Sequence, residues 1–95
     1  MKHDLSIEYC PKCRWLMRAS WMAQEFLTSF EEELQSVTLI PSEHNGKYTI
    51  RINGAELFDR KTHGGFADIA ALKQMIRDRI HPGKSLGHSD RKTEK

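Results

Sequence analysis

The stretch Leu5-Ser6-Ile7-Glu8-Tyr9-Cys10-Pro11-Lys12-Cys13-Arg14-Trp15-Leu16 carries two different periodicities joined by a cysteine pair. Leu5, Ile7 and Tyr9 alternate with Ser6 and Glu8, the period of a strand with one buried face, and the strand ends at Cys10. Beyond the pair, Leu16, Ala19, Ala23, Leu27 and Phe30 recur at helical spacing, with Trp15, Met22 and Phe26 on an adjoining stripe. From Lys12 to about Glu33 no Gly or Pro interrupts this pattern, so a long helix with a broad apolar face is expected there. Pro11 falls in its first turn, where a missing N–H has no intrahelical partner to lose.

Val37 to Ile40 is β-branched and apolar and stops at Pro41. After a turn-forming segment over 42–46, Tyr48-Thr49-Ile50-Arg51-Ile52 alternates cleanly and runs into Asn53-Gly54, a two-residue hairpin signal. Glu56 to Asp59 reads as a short fourth strand and Thr62 to Gly65 as a glycine-containing loop. Ile69, Leu72, Met75, Ile76 and Ile80 then predict an amphipathic helix from about Phe66 to Ile80, stopped by Pro82-Gly83. The order is β-α-β-β-β-α, in which the first unit suits a parallel crossover and the later strands an antiparallel hairpin. The expected fold class is α/β, a thioredoxin-like two-layer sandwich with a four-stranded mixed sheet. Both helices are expected on one face. Apolar surface left on the other face or on the helices could be covered by a homodimer or a partner contact.

With 95 residues, 38% of them apolar, the chain suits one domain with a single modest core. Residues 1–80 hold eleven basic and eleven acidic groups, so the formal charge of +2 comes entirely from the tail. The chain therefore divides into a folded domain over 1–81 and a polar tail over 82–95, expected to be loose or locally docked, with Leu86 its only large apolar residue. So small a charge argues against nucleic acid as a partner. No run approaches the roughly twenty apolar residues of a membrane span, and none has the apolar core of a signal peptide. A cytoplasmic location is expected, and there thiols are kept reduced, so the pair is not read as a permanent staple. Redox chemistry or metal binding remains.

A cysteine just ahead of a helix sits where unpaired N–H groups and the positive end of the helix dipole stabilise a thiolate. Cys10 is expected in that position, with Lys12, Arg14 and Arg18 adding positive charge. Cys13, one turn into the helix, would then close a disulfide, one thiolate attacking and the other resolving. The same spacing is half of many zinc sites. Here there is no second cysteine pair, and His63, His81 and His88 stand at no zinc-finger spacing from this one, so neither a metal nor a bound cofactor is expected. Trp15 belongs to the rim of the site or to the core. Gly64 and Gly65 offer backbone N–H groups to a substrate or form a flexible connection, and Phe66 anchors the last helix or contacts substrate. His63 shuttles a proton to the thiols or is solvated.

The run from Tyr9 to Trp15, with Arg18-Ala19, Trp21, Ala23-Gln24-Glu25, Gly64-Gly65-Phe66 and Leu86-Gly87-His88-Ser89-Asp90, resembles the selenoprotein W-like Rdx family, relatives of selenoproteins W, T and H. The chain looks like a bacterial member with cysteine at both positions, and the resemblance covers residues 5–90. It implies a thioredoxin-like fold and a redox role with glutathione as co-substrate and protein or small-molecule thiols as partners. It also sets two assignments against each other. The selenocysteine of some relatives matches the position of Cys13, whereas the helix-terminus argument makes Cys10 the attacking thiolate, and Cys10 is the nucleophile expected here. The expected function is a thiol-disulfide oxidoreductase; the alternative is a non-enzymatic interaction module whose affinity the disulfide switches.

Overall fold

The computed structural model describes residues 2–87. β1 (His3–Tyr9) leads through the cysteine turn into α1 (Leu16–Ser29). There follow β2 (Leu34–Pro41), β3 (Tyr48–Ile52), β4 (Ala55–Asp59), the single turn α2 (Arg60–His63) and α3 (Ile69–Ile80). The sheet runs β2-β1-β3-β4, with β1 parallel to β2 and antiparallel to β3, and β3 antiparallel to β4. This is the mixed four-stranded α/β sheet expected from the sequence.

The alternation in β1 sorts the two faces of the sheet. Leu5, Ile7 and Tyr9 stand opposite Ile52, Ile50 and Tyr48 of β3, and all six are buried. The intervening residues are polar: Ser6 is opposite Arg51, Glu8 opposite Thr49, and Arg51 Nη1 donates to Glu8 Oε1 at 3.0 Å. Only the apolar face can bury a helix. Ala19, Met22 and Phe26 of α1 and Leu72 and Ile76 of α3 join it in one core cluster. Lys73 of α3 ties the helices together through a 2.8 Å ion pair with Glu25 of α1. The other face is thus largely polar, with Ile40 exposed on it beside Glu8, and most of the exposed apolar surface lies on α1. Leu16, Met17, Trp21 and Leu27 are all exposed, because the apolar arc of this helix is wider than one sheet can cover. Leu16 and Leu27, expected in the buried stripe, lie outside it.

Several element boundaries differ from the sequence reading, among them that of β2, which begins at Leu34, three residues before Val37. The first helix begins at Leu16, not Lys12, because residues 11–14 form a tight turn closed by Arg14 N–H donating to the Pro11 carbonyl at 2.9 Å. Arg14 takes φ +63°, a left-handed conformation that no helical residue can hold. The same helix ends at Ser29, and three consecutive glutamates follow as a turn, consistent with the penalty for acids at the negative end of the helix dipole. The last helix starts at Ile69, where the Asp68 side chain accepts the Ala71 N–H at 2.8 Å as an N-cap. The segment read as a loop over 62–65 begins inside the single turn α2, taking in its second half, Thr62 and His63; α2 is capped at its start by Asp59 and closed by Gly64 at φ +87°. The hairpin turn falls where expected, with Asn53 and Gly54 at φ +51° and +86°, as a type I′ turn requires.

At the start of β2, Glu33 gathers the far end of the chain. Its Oε2 accepts from His81 Nδ1 at 2.7 Å and Lys84 Nζ at 3.1 Å, while its own carbonyl accepts the His3 N–H at 2.9 Å. Burial opposes the charge on Glu33, but the bonds from His81 and Lys84 win and hold its carboxyl below the usual carboxylate range. Leu86 packs against the core. The remainder of the proposed tail, 88–95, lies outside the described residues.

Phe26 and Leu27 are neighbours on α1 with opposite environments, fully buried and 42% exposed. Urea titration of Phe26→Ala should show a loss of about 3–5 kcal/mol. Leu27→Ala should change stability by less than about 0.5 kcal/mol.

Candidate functional site

The cysteine turn lies where β1 leaves the sheet. Tyr9, its last residue, pairs with Pro41 on one side and Tyr48 on the other, and the Ser42 N–H closes the edge onto the Tyr9 carbonyl at 2.8 Å. Cys10 follows directly and is 1% exposed, whereas Cys13 is half-buried. Pro11 and Lys12, at the tip of the turn, are exposed. The two cysteines are joined as a disulfide with Cα atoms 5.3 Å apart, within the span that such a bond permits. The Cys13 N–H also points at Cys10 Sγ, 3.3 Å away.

Cys10 therefore does not stand at a helix N-terminus, nor Cys13 one turn inside a helix, and Pro11 belongs to the turn and not to a first helical turn. Trp15 occupies the N-cap of α1, so the positive end of the helix dipole comes closer along the chain to Cys13 than to Cys10.

Trp15, two residues beyond Cys13, packs with Phe66 and with a residue that sequence reasoning assigned only to a strand. Trp15, Tyr48 and Phe66 meet edge to face at centroid distances of 5.0 to 5.9 Å, joining the start of α1, the start of β3 and the loop before α3. The Arg18 guanidinium lies 4.0 Å from the centre of the Phe66 ring, and that of Arg60 lies 5.1 Å from Trp15. Arg60 also donates to the Gly46 carbonyl at 3.2 Å. Its part in the site has no local sequence signal, because it arrives from α2.

The glycines and the histidine contribute differently from the functional reading. The N–H groups of Gly64 and Gly65 both donate to the Arg60 carbonyl, so they terminate α2 and are not presented to a ligand. His63 lies against Phe58, with ring centres 5.1 Å apart, and its Nδ1 is 3.1 Å from the Gly65 carbonyl. It lines a hollow with Leu57, Phe58 and Met75, none of which belongs to the cysteine turn. Among the described residues no group of three or more His, Cys, Asp or Glu side chains is placed to hold a metal ion, and no helix is long and apolar enough to cross a membrane.

A cysteine pair joined at the exit of a central strand, in a thioredoxin-like α/β sandwich, defines the class as that of small redox-associated proteins. The chain belongs to the Rdx family, whose pattern it matches over residues 4–78. It is similar to a selenoprotein W-related protein from Vibrio cholerae solved by crystallography, at 40% identity and a TM-score of 0.80, covering 84% of this chain and 99% of that one. A crystal structure of a protein from Bordetella parapertussis is similar at 44% identity and a TM-score of 0.80, covering 84% of this chain and 100% of that one. Among curated proteins none matches.

Tyr48 is 1% exposed, and its hydroxyl donates to the Met22 sulfur at 3.1 Å. Burial pushes its phenol well above the ordinary tyrosine value of about 10. Below that pH both folded and unfolded chains keep the phenol neutral, and its contribution is complete. Above it the unfolded chain releases the proton first, so stability is lost as pH rises. Urea titrations at pH 8 and pH 11 should show a larger alkaline loss for the unaltered protein than for Tyr48→Phe. Equal losses would mean that Tyr48 is not the alkaline-sensitive group.

Proposed function

We propose that the chain is a thiol-disulfide exchange protein that cycles Cys10 and Cys13 between dithiol and disulfide in a reducing, cytoplasmic setting. Glutathione acts as co-substrate and protein or small-molecule thiols act as partners. The observation that carries the reading is the asymmetry of the pair: Cys13 is only half-buried, whereas Cys10 is buried in the core.

That asymmetry assigns the roles. An incoming thiolate attacks Cys13 Sγ; a new disulfide forms between them, the Cys10–Cys13 bond breaks, and its electron pair leaves on Cys10 Sγ as a thiolate. The Cys13 N–H beside Cys10 Sγ supports that charge. A second thiolate then attacks the partner's sulfur in the mixed disulfide and releases Cys13, so that two thiols become a disulfide as the protein gains two electrons. In the reverse direction Cys13 attacks and Cys10 resolves. The order agrees with the resemblance, and the helix-terminus argument for Cys10 loses its footing once the helix begins at Leu16.

A second reading, a redox-switched interaction module without turnover, draws on the exposed Leu16 and Met17 lying directly beyond the pair. Turnover with glutathione separates the two.

Equilibration in glutathione buffers with a count of free thiols should give a reversible two-electron transition in the range of roughly −200 to −300 mV. Cys10→Ser, which keeps the more accessible cysteine, should accumulate a mixed disulfide with glutathione detectable by mass spectrometry, and Cys13→Ser should accumulate far less. Failure of the intramolecular disulfide to form at any glutathione ratio would overturn the exchange mechanism.

A further inference from the structure

A groove of about 290 Å³ runs beside the cysteine turn, lined by Tyr9, Pro11, Arg14, Leu16 and Met17. Its walls flank the reacting pair in sequence on both sides. Leu16 is 49% exposed and Met17 83%, and Trp21, one turn further along α1, is 47% exposed. The apolar wall thus continues past the groove. Arg14 is the one charged residue in the lining, and among the described residues no carboxylate pairs with it. Its backbone sits at φ +63°, where glycine would be cheaper and any other residue is strained by about 1–2 kcal/mol. A strained residue of this kind beside a reactive pair points to a use for its side chain.

From this arrangement, and on the basis of the exchange reading above, we infer that the groove selects protein thiols whose cysteine is flanked by an apolar residue and a carboxylate. The apolar side chain lies against Pro11, Leu16 and Met17, and the carboxylate pairs with Arg14. Together they hold the substrate sulfur over Cys13. Glutathione has carboxylates but no apolar side chain, so it leaves the wall from Leu16 to Trp21 uncovered; a protein segment covers both. The chemical step is the one already written: the bound thiolate attacks Cys13 Sγ, the Cys10–Cys13 bond breaks, and Cys10 leaves as the thiolate.

The test compares short reduced peptides with a single cysteine flanked by leucine and glutamate, in both orders, with counterparts carrying lysine for glutamate or serine for leucine. Each is mixed in excess with the oxidised protein, quenched by thiol alkylation and followed by mass spectrometry. Rates are compared as ratios between peptides within each protein variant, so that a change in cysteine reactivity common to all peptides cancels. In low salt the better glutamate peptide should react roughly three- to fivefold faster than its lysine counterpart, the effect of one exposed ion pair. It should react roughly tenfold faster than its serine counterpart, the effect of a partly buried leucine. Arg14→Gln should erase the glutamate ratio and leave the leucine ratio, and Met17→Ser should do the reverse. Peptides that all react alike with a protein that exchanges normally with glutathione would overturn the groove and spare the exchange reading. A glutamate preference that survives Arg14→Gln would overturn it equally. A protein inert to glutathione and to every peptide would remove both.

Discussion

β1 is bonded along both edges, parallel to β2 and antiparallel to β3, and its inward side chains Leu5, Ile7 and Tyr9 are buried in the core. A slip of one residue in either ladder would turn these three to solvent and drive Ser6 and Glu8 into the apolar layer, so the register has a single acceptable value. The position of the strand end follows from that register, and with it the position of Cys10. A parallel neighbour also demands a crossover, since two parallel strands cannot be joined by a tight turn. α1 is that crossover, and the chain must turn between the end of β1 at Tyr9 and its start at Leu16. The cysteine turn is therefore the corner that the topology makes unavoidable, occupied by residues whose chemistry uses a fixed and partly open place.

Beside this corner the protein keeps positive charge without neutralising it. Arg18 and Arg60 are held against the faces of Phe66 and Trp15, contacts that orient a guanidinium and leave its charge intact, whereas an ion pair would cancel it. The rings are themselves locked edge to face with Tyr48. Three segments far apart in sequence thus share one packing unit, which both braces the start of α1 and fixes Arg18 and Arg60 against its rings. Four acids of the domain are engaged elsewhere: Glu8 with Arg51, Glu25 with Lys73, Asp59 with Thr49, and Glu33 with His81 and Lys84.

What could be read from sequence was what is decided locally. β3 falls on the residues its alternation marked, and the Asn53-Gly54 turn has the backbone its composition requires, because pleat and turn chemistry act over a few residues. The cysteine pair was legible for the same reason. Helix boundaries were not. Periodicity registers apolar spacing and is blind to a single residue such as Arg14 leaving the helical basin, so four residues of turn were read as helix. The stripe on α1 was misjudged because periodicity shows that an apolar arc exists but not how much of it a sheet will cover, and Leu16 and Leu27 fell on the uncovered side. The aromatic cluster joins residues 15, 48 and 66, and no local signal links them.

The contacts at Glu33 carry a consequence for how this domain can be attached to anything else. Glu33 bonds the backbone of His3, where β1 begins, and the side chains of His81 and Lys84, where α3 has just ended. The seven residues of β1 separate this clasp from the cysteine turn, a length of roughly 20 Å at strand geometry. Both exits from the core are therefore gathered at one pole and the disulfide stands at the other. A second domain or a solid support joined near either exit would hold the molecule by its inert pole and present the disulfide outward, the orientation that suits a module carried on a larger scaffold or wired to a surface.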